Sequence, residues 1–266
     1  MTQPEPTTPR PPLLMLHGLF GRPELLADWV RYFTAAGFDC HTPTLPGRDP
    51  VDRDTLRTAT LDDYFQRVLD AYDELDTDDT PPVVIGHSIG GLLGQKLAAA
   101  RPCAALVLLA SVPPGVLWAQ PTASPHLLPL LPGILAGRPI LPSARTFREI
   151  PLTGLPEAEQ EALIPRLVPD SGRVFRAMTF GTRATRVPRD AVRCPVLCVS
   201  GGADRNVADW ISRRLARRYA AEHQAYPDLP HWIIAPSAVD RVAPPVLKWL
   251  TATLADQELR SRRAGA

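Results

Sequence analysis

The sequence predicts an α/β protein, a doubly wound, mostly parallel sheet of about six strands with a helical cap inserted into it. Three observations predict this. Short apolar runs of strand type alternate with helical patterns in both halves of the chain, the order expected of a parallel sheet covered on both faces. One such run, Val83-Val84-Ile85, ends in Gly86-His87-Ser88-Ile89-Gly90-Gly91 and passes directly into a small-residue helix pattern. Between Ser111 and Val192 the alternation stops, and an interruption of roughly 80 residues is too long for a plain connection in a compact domain.

The strands expected are 13–16, 38–41, 82–86, 105–110, 194–200 and 222–226. The clearest helix is Leu61–Leu75, where Leu61, Tyr64, Phe65, Val68, Leu69, Tyr72 and Leu75 follow the i, i+3, i+4 rhythm and Thr60 with Asp63 forms a capping-box start. Pro244-Pro245 is expected to divide the last helix and leave 246–254 as its firm part. The core is assigned to 13–112 and 191–256, the cap to 113–190, a disordered tail to 1–12 and a flexible tail to 257–266. Within the cap, prolines recur between short leucine runs, and helical stretches follow near 157–167 and 171–179. These apolar cap residues either face the space above Ser88 or join the cap to the core.

Composition narrows the function. The chain has 266 residues, 45% of them hydrophobic, and a net charge of +1, enough for a large core and no argument for nucleic acid or an acidic membrane surface. No stretch approaches the roughly 20 apolar residues that span a bilayer, and the first residues carry no signal-peptide core. Four cysteines, Cys40, Cys103, Cys194 and Cys198, lie in or near strands. Cys194 and Cys198 fall on one predicted strand, too far apart to bridge. No His/Cys group has zinc spacing, and no phosphate-binding glycine loop is present. The expectation is a cytoplasmic protein that needs neither metal nor cofactor.

A serine on a strand–turn–helix elbow is a candidate nucleophile. Its flanking glycines, Gly86, Gly90 and Gly91, let strand and helix approach. Ser88 then needs a histidine base and that histidine an orienting acid, in the chain order serine, acid, histidine. Asp204 follows the apolar run 194–200 and Gly201-Gly202, at the carboxyl end of a strand, where a turn or N-cap role is the ordinary alternative. Of six histidines only His223 and His231 lie far enough downstream. His223 falls in or beside a strand, so His231, in a Pro-rich turn, is the expected base. Leu13-Leu14-Met15-Leu16 runs into His17-Gly18-Leu19-Phe20-Gly21, a loop that can aim a backbone amide at a developing oxyanion. The expected donors are the Leu19 and Ile89 N–H groups, with Phe20 as the substitute for Leu19. His17 is read as a structural residue.

Together His17-Gly18, the Gly86–Gly91 elbow, Gly201-Gly202-Ala203-Asp204 and His231 resemble the α/β-hydrolase superfamily, over nearly the whole chain from Leu13 to about Leu254. Members often carry an antiparallel hairpin ahead of the His-Gly strand, but only twelve Pro-rich residues precede Leu13 here, so that hairpin is expected to be missing; the resemblance implies a cap at the position of the insertion. It implies a carboxylesterase- or thioesterase-like serine hydrolase acting on an ester or thioester with an apolar acyl or alcohol part. Phe20, His87, Trp118 and Trp232 are candidates for the pocket, and the two tryptophans are equally read as plain packing. Similar proteins use the same triad for C–C bond hydrolysis, acyl transfer, lyase or isomerase steps and cofactor-free oxygenation, and a non-catalytic binding protein is a further alternative. Epoxide and haloalkane hydrolysis use a carboxylate where Ser88 stands.

Overall fold

The computed structural model describes residues 10–75, 80–117 and 120–264. Its frame runs β1 (Leu13–Leu16), α1 (Ala27–Ala35), β2 (Cys40–His41), α2 (Arg53–Thr58), α3 (Leu61–Asp73), β3 (Val83–His87), α4 (Ile89–Ala100) and β4 (Ala105–Leu109). After the insertion it resumes with β5 (Val196–Gly201), α10 (Asp209–Tyr219), β6 (Glu222–Tyr226) and α11 (Pro236–Ala264). The insertion holds short helices α5 (Ser124–Leu127), α6 (Leu131–Leu135), α7 (Ala144–Glu149), α8 (Glu157–Leu163) and α9 (Gly172–Phe180), several joined by 3-10 turns. All five strand pairings are parallel, in the order β2-β1-β3-β4-β5-β6. Among the described residues no strand precedes β1.

The two-residue period of the strands divides the core. Leu13, Met15, Val83, Ile85, Val107, Leu197 and Val199 point to one face, where Trp29 and Phe33 of α1 and Val242, Val246 and Leu250 of α11 cover them. Leu14, Leu16, Val84, Leu106, Leu108 and Cys198 point to the other, under Tyr64 and Val68 of α3, Leu92 and Leu93 of α4 and Ile211 and Leu215 of α10. β1, β3, β4 and β5 are buried throughout, and the Thr60–Asp63 capping box starts α3. The apolar β-branched and leucine runs therefore form the buried strands, and a helical insertion separates β4 from β5.

Several boundaries differ. β2 has only two residues, and β5 begins at Val196, so Cys194 precedes the strand that holds Cys198. All four cysteines are free. α11 is unbroken from Pro236 to Ala264 and contains Pro244 and Pro245. The prolines remove two backbone donors, but Ala243 and Val246 are completely buried on either side of them, and that packing keeps the helix together. The same helix takes in 257–264, which sequence alone assigned to a flexible tail. At the other end, residues 1–9 of the expected tail lie outside the described residues, while the Pro12 carbonyl already accepts from the Val83 N–H at 2.9 Å.

Candidate active site

β3 delivers Ser88 to the carboxyl edge of the sheet, and α4 departs at once. Ser88 has φ 55° and ψ −119°, a left-handed conformation that projects its side chain out of the turn. The turn is possible because nothing occupies the glycine positions. A Cβ on Gly86 would lie 2.4 Å from the Gly90 carbonyl oxygen, and one on Gly90 would lie 2.2 Å from that of Leu16.

The next two groups come from the carboxyl ends of later strands. Asp204 follows β5, and its Oδ1 accepts from the Asn206 and Val207 N–H groups at 2.6 and 2.8 Å. Its Oδ2 faces His231 Nδ1 at 2.8 Å, and His231 Nε2 faces Ser88 Oγ at 3.0 Å. All three side chains are buried, and exclusion of water strengthens the hydrogen bonds between them. His223 is elsewhere. Its Nε2 meets Ser200 Oγ at 2.9 Å, and Ser200 in turn donates to Asp209 at 2.5 Å.

The turn carrying His231 is held from two sides. His87 Nε2–H donates to the His231 carbonyl at 3.0 Å, and the Trp232 N–H donates to the Pro151 carbonyl at 3.1 Å. Trp232 packs edge-on against His87 with ring centroids 5.4 Å apart. From the insertion, Gln120 Nε2–H donates to the Asp204 carbonyl at 2.8 Å.

The first loop is fixed by His17. Its Nδ1–H donates to the Gly18 carbonyl at 2.9 Å, and its Nε2 accepts from the Leu45 N–H at 3.4 Å. The Phe20 N–H is committed to Asp170 Oδ2 at 2.7 Å. Phe20 is therefore removed as a substitute oxyanion donor. The Leu19 N–H bonds to no other backbone or side-chain group among the described residues, and the Ile89 N–H heads α4, where the first turn has no partner within the helix.

Burial keeps two of these histidines neutral. Desolvation, then the charge of Arg48, lowers the His17 pKa to about 3. Desolvation, then His231, lowers that of His87 to about 3. An unfolded histidine protonates near 6.5, so below that pH the unfolded chain binds two protons that the folded chain refuses. Stability should be flat in this respect above pH 7 and fall with acidification down to about pH 3. The two groups together contribute about 2 kcal/mol of loss between pH 6 and pH 5. Urea midpoints at pH 8, 7, 6 and 5 measure it, and an unchanged midpoint from 6 to 5 would refute the assignment.

An apolar pocket opens above Ser88. Phe20, His87 and Trp232 are among the residues that line it, and Trp118 lies outside the described residues. The insertion supplies Leu127, Leu130, Phe147, Ile150, Phe175 and Met178, so some of its apolar residues share this pocket with Ser88. Phe20 meets Phe147 and Phe175 at centroid distances of 5.6 and 6.4 Å. Sequence reasoning missed the groups that brace the site: Arg48, Tyr64, Gln120, Asp170 and Asn206. Tyr64 reads as one more apolar position of α3, and Asp170 as an ordinary residue ahead of the Ser171 N-cap. Among the described residues no cluster of three or more His, Cys, Asp or Glu side chains could hold a metal ion, and no helix is long and apolar enough to cross a membrane.

The alpha/beta hydrolase family model matches residues 13–244. No curated protein matches the chain. Among solved structures, a methylesterase from Arabidopsis superposes with TM-score 0.70 at 16% identity, covering 91% of this chain and 99% of its own. A pyrethroid hydrolase from Sphingobium faniae gives 0.65 at 22%, covering 91% and 98%. A monoacylglycerol lipase from Paleococcus ferrophilus gives 0.65 at 18%, covering 91% and 96%. At these identities the likeness is one of fold.

Proposed function

The chain belongs to the alpha/beta hydrolase family, and from that premise we propose that it is a serine hydrolase cleaving esters or thioesters with an apolar acyl or alcohol part. The observation that carries this reading is the buried relay Asp204–His231–Ser88, with separations of 2.8 and 3.0 Å, set beneath an apolar pocket. The names of the solved relatives, a methylesterase, a pyrethroid hydrolase and a monoacylglycerol lipase, support ester chemistry. Four free cysteines support a reducing compartment, and we assign the protein to the cytoplasm.

In this mechanism Ser88 Oγ attacks the substrate carbonyl while His231 Nε2 takes its proton. Asp204 holds the proton on Nδ1, so Nε2 is left as the acceptor, and its charge stabilises the imidazolium that forms. The carbonyl oxygen becomes an oxyanion between the Leu19 and Ile89 N–H groups. As the tetrahedral intermediate collapses, the alcohol or thiol leaves with the proton from His231. Water then loses a proton to His231 and attacks the acyl-Ser88, and the acid departs as Ser88 regains its proton.

A graded series of p-nitrophenyl esters from acetate to laurate, compared between wild type and Asp204→Asn, tests the reading. Wild type should turn the series over with an optimum at one chain length, set by the pocket. Because two backbone N–H groups occupy Oδ1 of residue 204, the variant's amide must turn its NH2 toward His231. That forces the proton onto Nε2, and kcat should fall about 10⁴-fold with the fold retained. Undiminished activity in the variant would pass the orienting role to another acid. Absence of turnover with every ester, while Ser88 still reacts with a phosphonate, would favour a different triad reaction over ester hydrolysis.

A further inference from the structure

Phe20 has φ 62°, a backbone conformation that a bulky L residue holds only with outside support. That support comes from one stretch of the insertion and grips both polar groups of the residue. The Phe20 N–H donates to Asp170 Oδ2 at 2.7 Å, and the Val168 N–H donates to the Phe20 carbonyl at 2.9 Å. Asp170 is completely buried and has no freedom of its own. Its Oδ1 accepts from the Tyr64 hydroxyl at 2.6 Å and the Ser171 N–H at 2.8 Å, and its Oδ2 is also ion-paired with the equally buried Arg48. Its backbone exchanges two hydrogen bonds with Ile140, each 2.9 Å.

We infer that Asp170 is a positioning residue for the oxyanion hole. Through Phe20 it fixes the Gly18–Gly21 loop so that the Leu19 N–H, and not that of Phe20, faces the carbonyl oxygen on Ser88. The charges fit this role. A lone carboxylate bonded to the Phe20 N–H, next to the Leu19 amide, would repel an oxyanion there, and Arg48 cancels that charge while lying 4.8 Å over the Tyr64 ring. The carboxylate belongs to the insertion and the loop to the core, so the insertion organises the catalytic amide as well as the pocket wall. The kinetic consequences rest on the hydrolase reading of Ser88; the clamp on Phe20 does not.

Two variants test the inference. Asp170→Asn combined with Arg48→Gln removes both charges, so that neither is left buried alone. Tyr64→Phe removes a single hydrogen bond to the carboxylate. Amide exchange at Phe20 reads the clamp directly and should quicken by about tenfold or more in the double variant, as expected when a hydrogen bond that protects an amide is lost. An oxyanion hole acts in the transition state, so kcat should fall roughly 10- to 100-fold with KM within about twofold. Affinity for an alkyl boronic acid, which forms a tetrahedral adduct on Ser88, should fall by the same factor, and Tyr64→Phe should show the same split at a few-fold. A structural brace alone would lower the melting temperature and leave kcat and boronate affinity of the folded variant at wild-type values, which would overturn the inference. If the double variant does not fold, Tyr64→Phe decides: parallel loss of kcat and boronate affinity supports the role, and no loss refutes it. If wild type shows no Ser88-dependent turnover while Phe20 exchange still depends on Asp170, the hydrolase reading falls and the clamp stands.

Discussion

Ser88→Ala should abolish ester turnover, lowering kcat by about 10⁴-fold or more, while leaving the fold in place. The magnitude follows from what the substitution removes. Ser88 Oγ is the atom that faces His231 Nε2 at 3.0 Å, and without it His231 and Asp204 have no proton to move. Residual catalysis would come only from the oxyanion donors and the pocket, which is why the loss does not deepen much if His231 is then changed as well. Alanine accepts the φ of 55° no better and no worse than serine, so the melting temperature should move by only a few degrees. Steady-state kinetics on the preferred ester, calorimetry, and phosphonate labelling followed by mass spectrometry measure the three parts of this expectation. Retained turnover in the alanine variant would remove Ser88 from the mechanism, and retained labelling would place the reactive hydroxyl elsewhere.

The second large effect is on stability. A methyl group at Gly90 would lie 2.2 Å from the Leu16 carbonyl oxygen, 2.7 Å from its carbon and 2.8 Å from the His17 carbonyl oxygen. Every one of those atoms is backbone of β1 or of the loop that leaves it, and none can swing aside. α4 must back away from the sheet, and Ser88 and Ile89 move with it. Helix propensity acts in the opposite direction, favouring alanine over glycine by about 1 kcal/mol. The clash wins: Gly90→Ala should lose about 3 kcal/mol or more, enough to leave little soluble protein if the fold is only marginally stable. Gly94→Ala is the control on the same helix. The three atoms nearest its methyl are all side-chain tips, of Leu106, Val84 and Leu16 at 3.1, 3.2 and 3.9 Å, and propensity offsets that crowding to leave a net change within about 1 kcal/mol. Chemical denaturation of both variants distinguishes the positions, and equal losses would show that backbone contact at Gly90 is not the controlling feature.

What was legible in the sequence is what local chemistry specifies. β1, β3, β4 and β5 announce themselves as apolar runs, because strands buried on both faces leave no place for polar side chains. Ser88, Asp204 and His231 are legible because each follows a strand in a required order. The brace around Phe20 is not, since its members lie 150, 122 and 106 residues apart in the pairs Phe20–Asp170, Arg48–Asp170 and Tyr64–Asp170. Each has an adequate local explanation, as a turn residue, a helix position or a residue before an N-cap, and only the fold brings them together. The unbroken α11 is the converse case. Local chemistry at Pro244-Pro245 argues for a break, and burial of the flanking face overrides it.

The hydrogen bond from His87 to the carbonyl of His231 bears on how this enzyme can change. In Gly-x-Ser-x-Gly the position before the serine is open to many residues, yet here its side chain reaches 144 positions along the chain to hold the turn that carries His231. Variation at 87 is therefore tied to the far loop. A donor of similar reach, such as glutamine, should take over the contact, whereas an apolar replacement leaves the turn held by the Trp232 N–H to Pro151 bond and should loosen the alignment of Ser88 and His231. In directed evolution, libraries that vary position 87 alongside 229–232 should therefore keep together two segments that this one hydrogen bond couples.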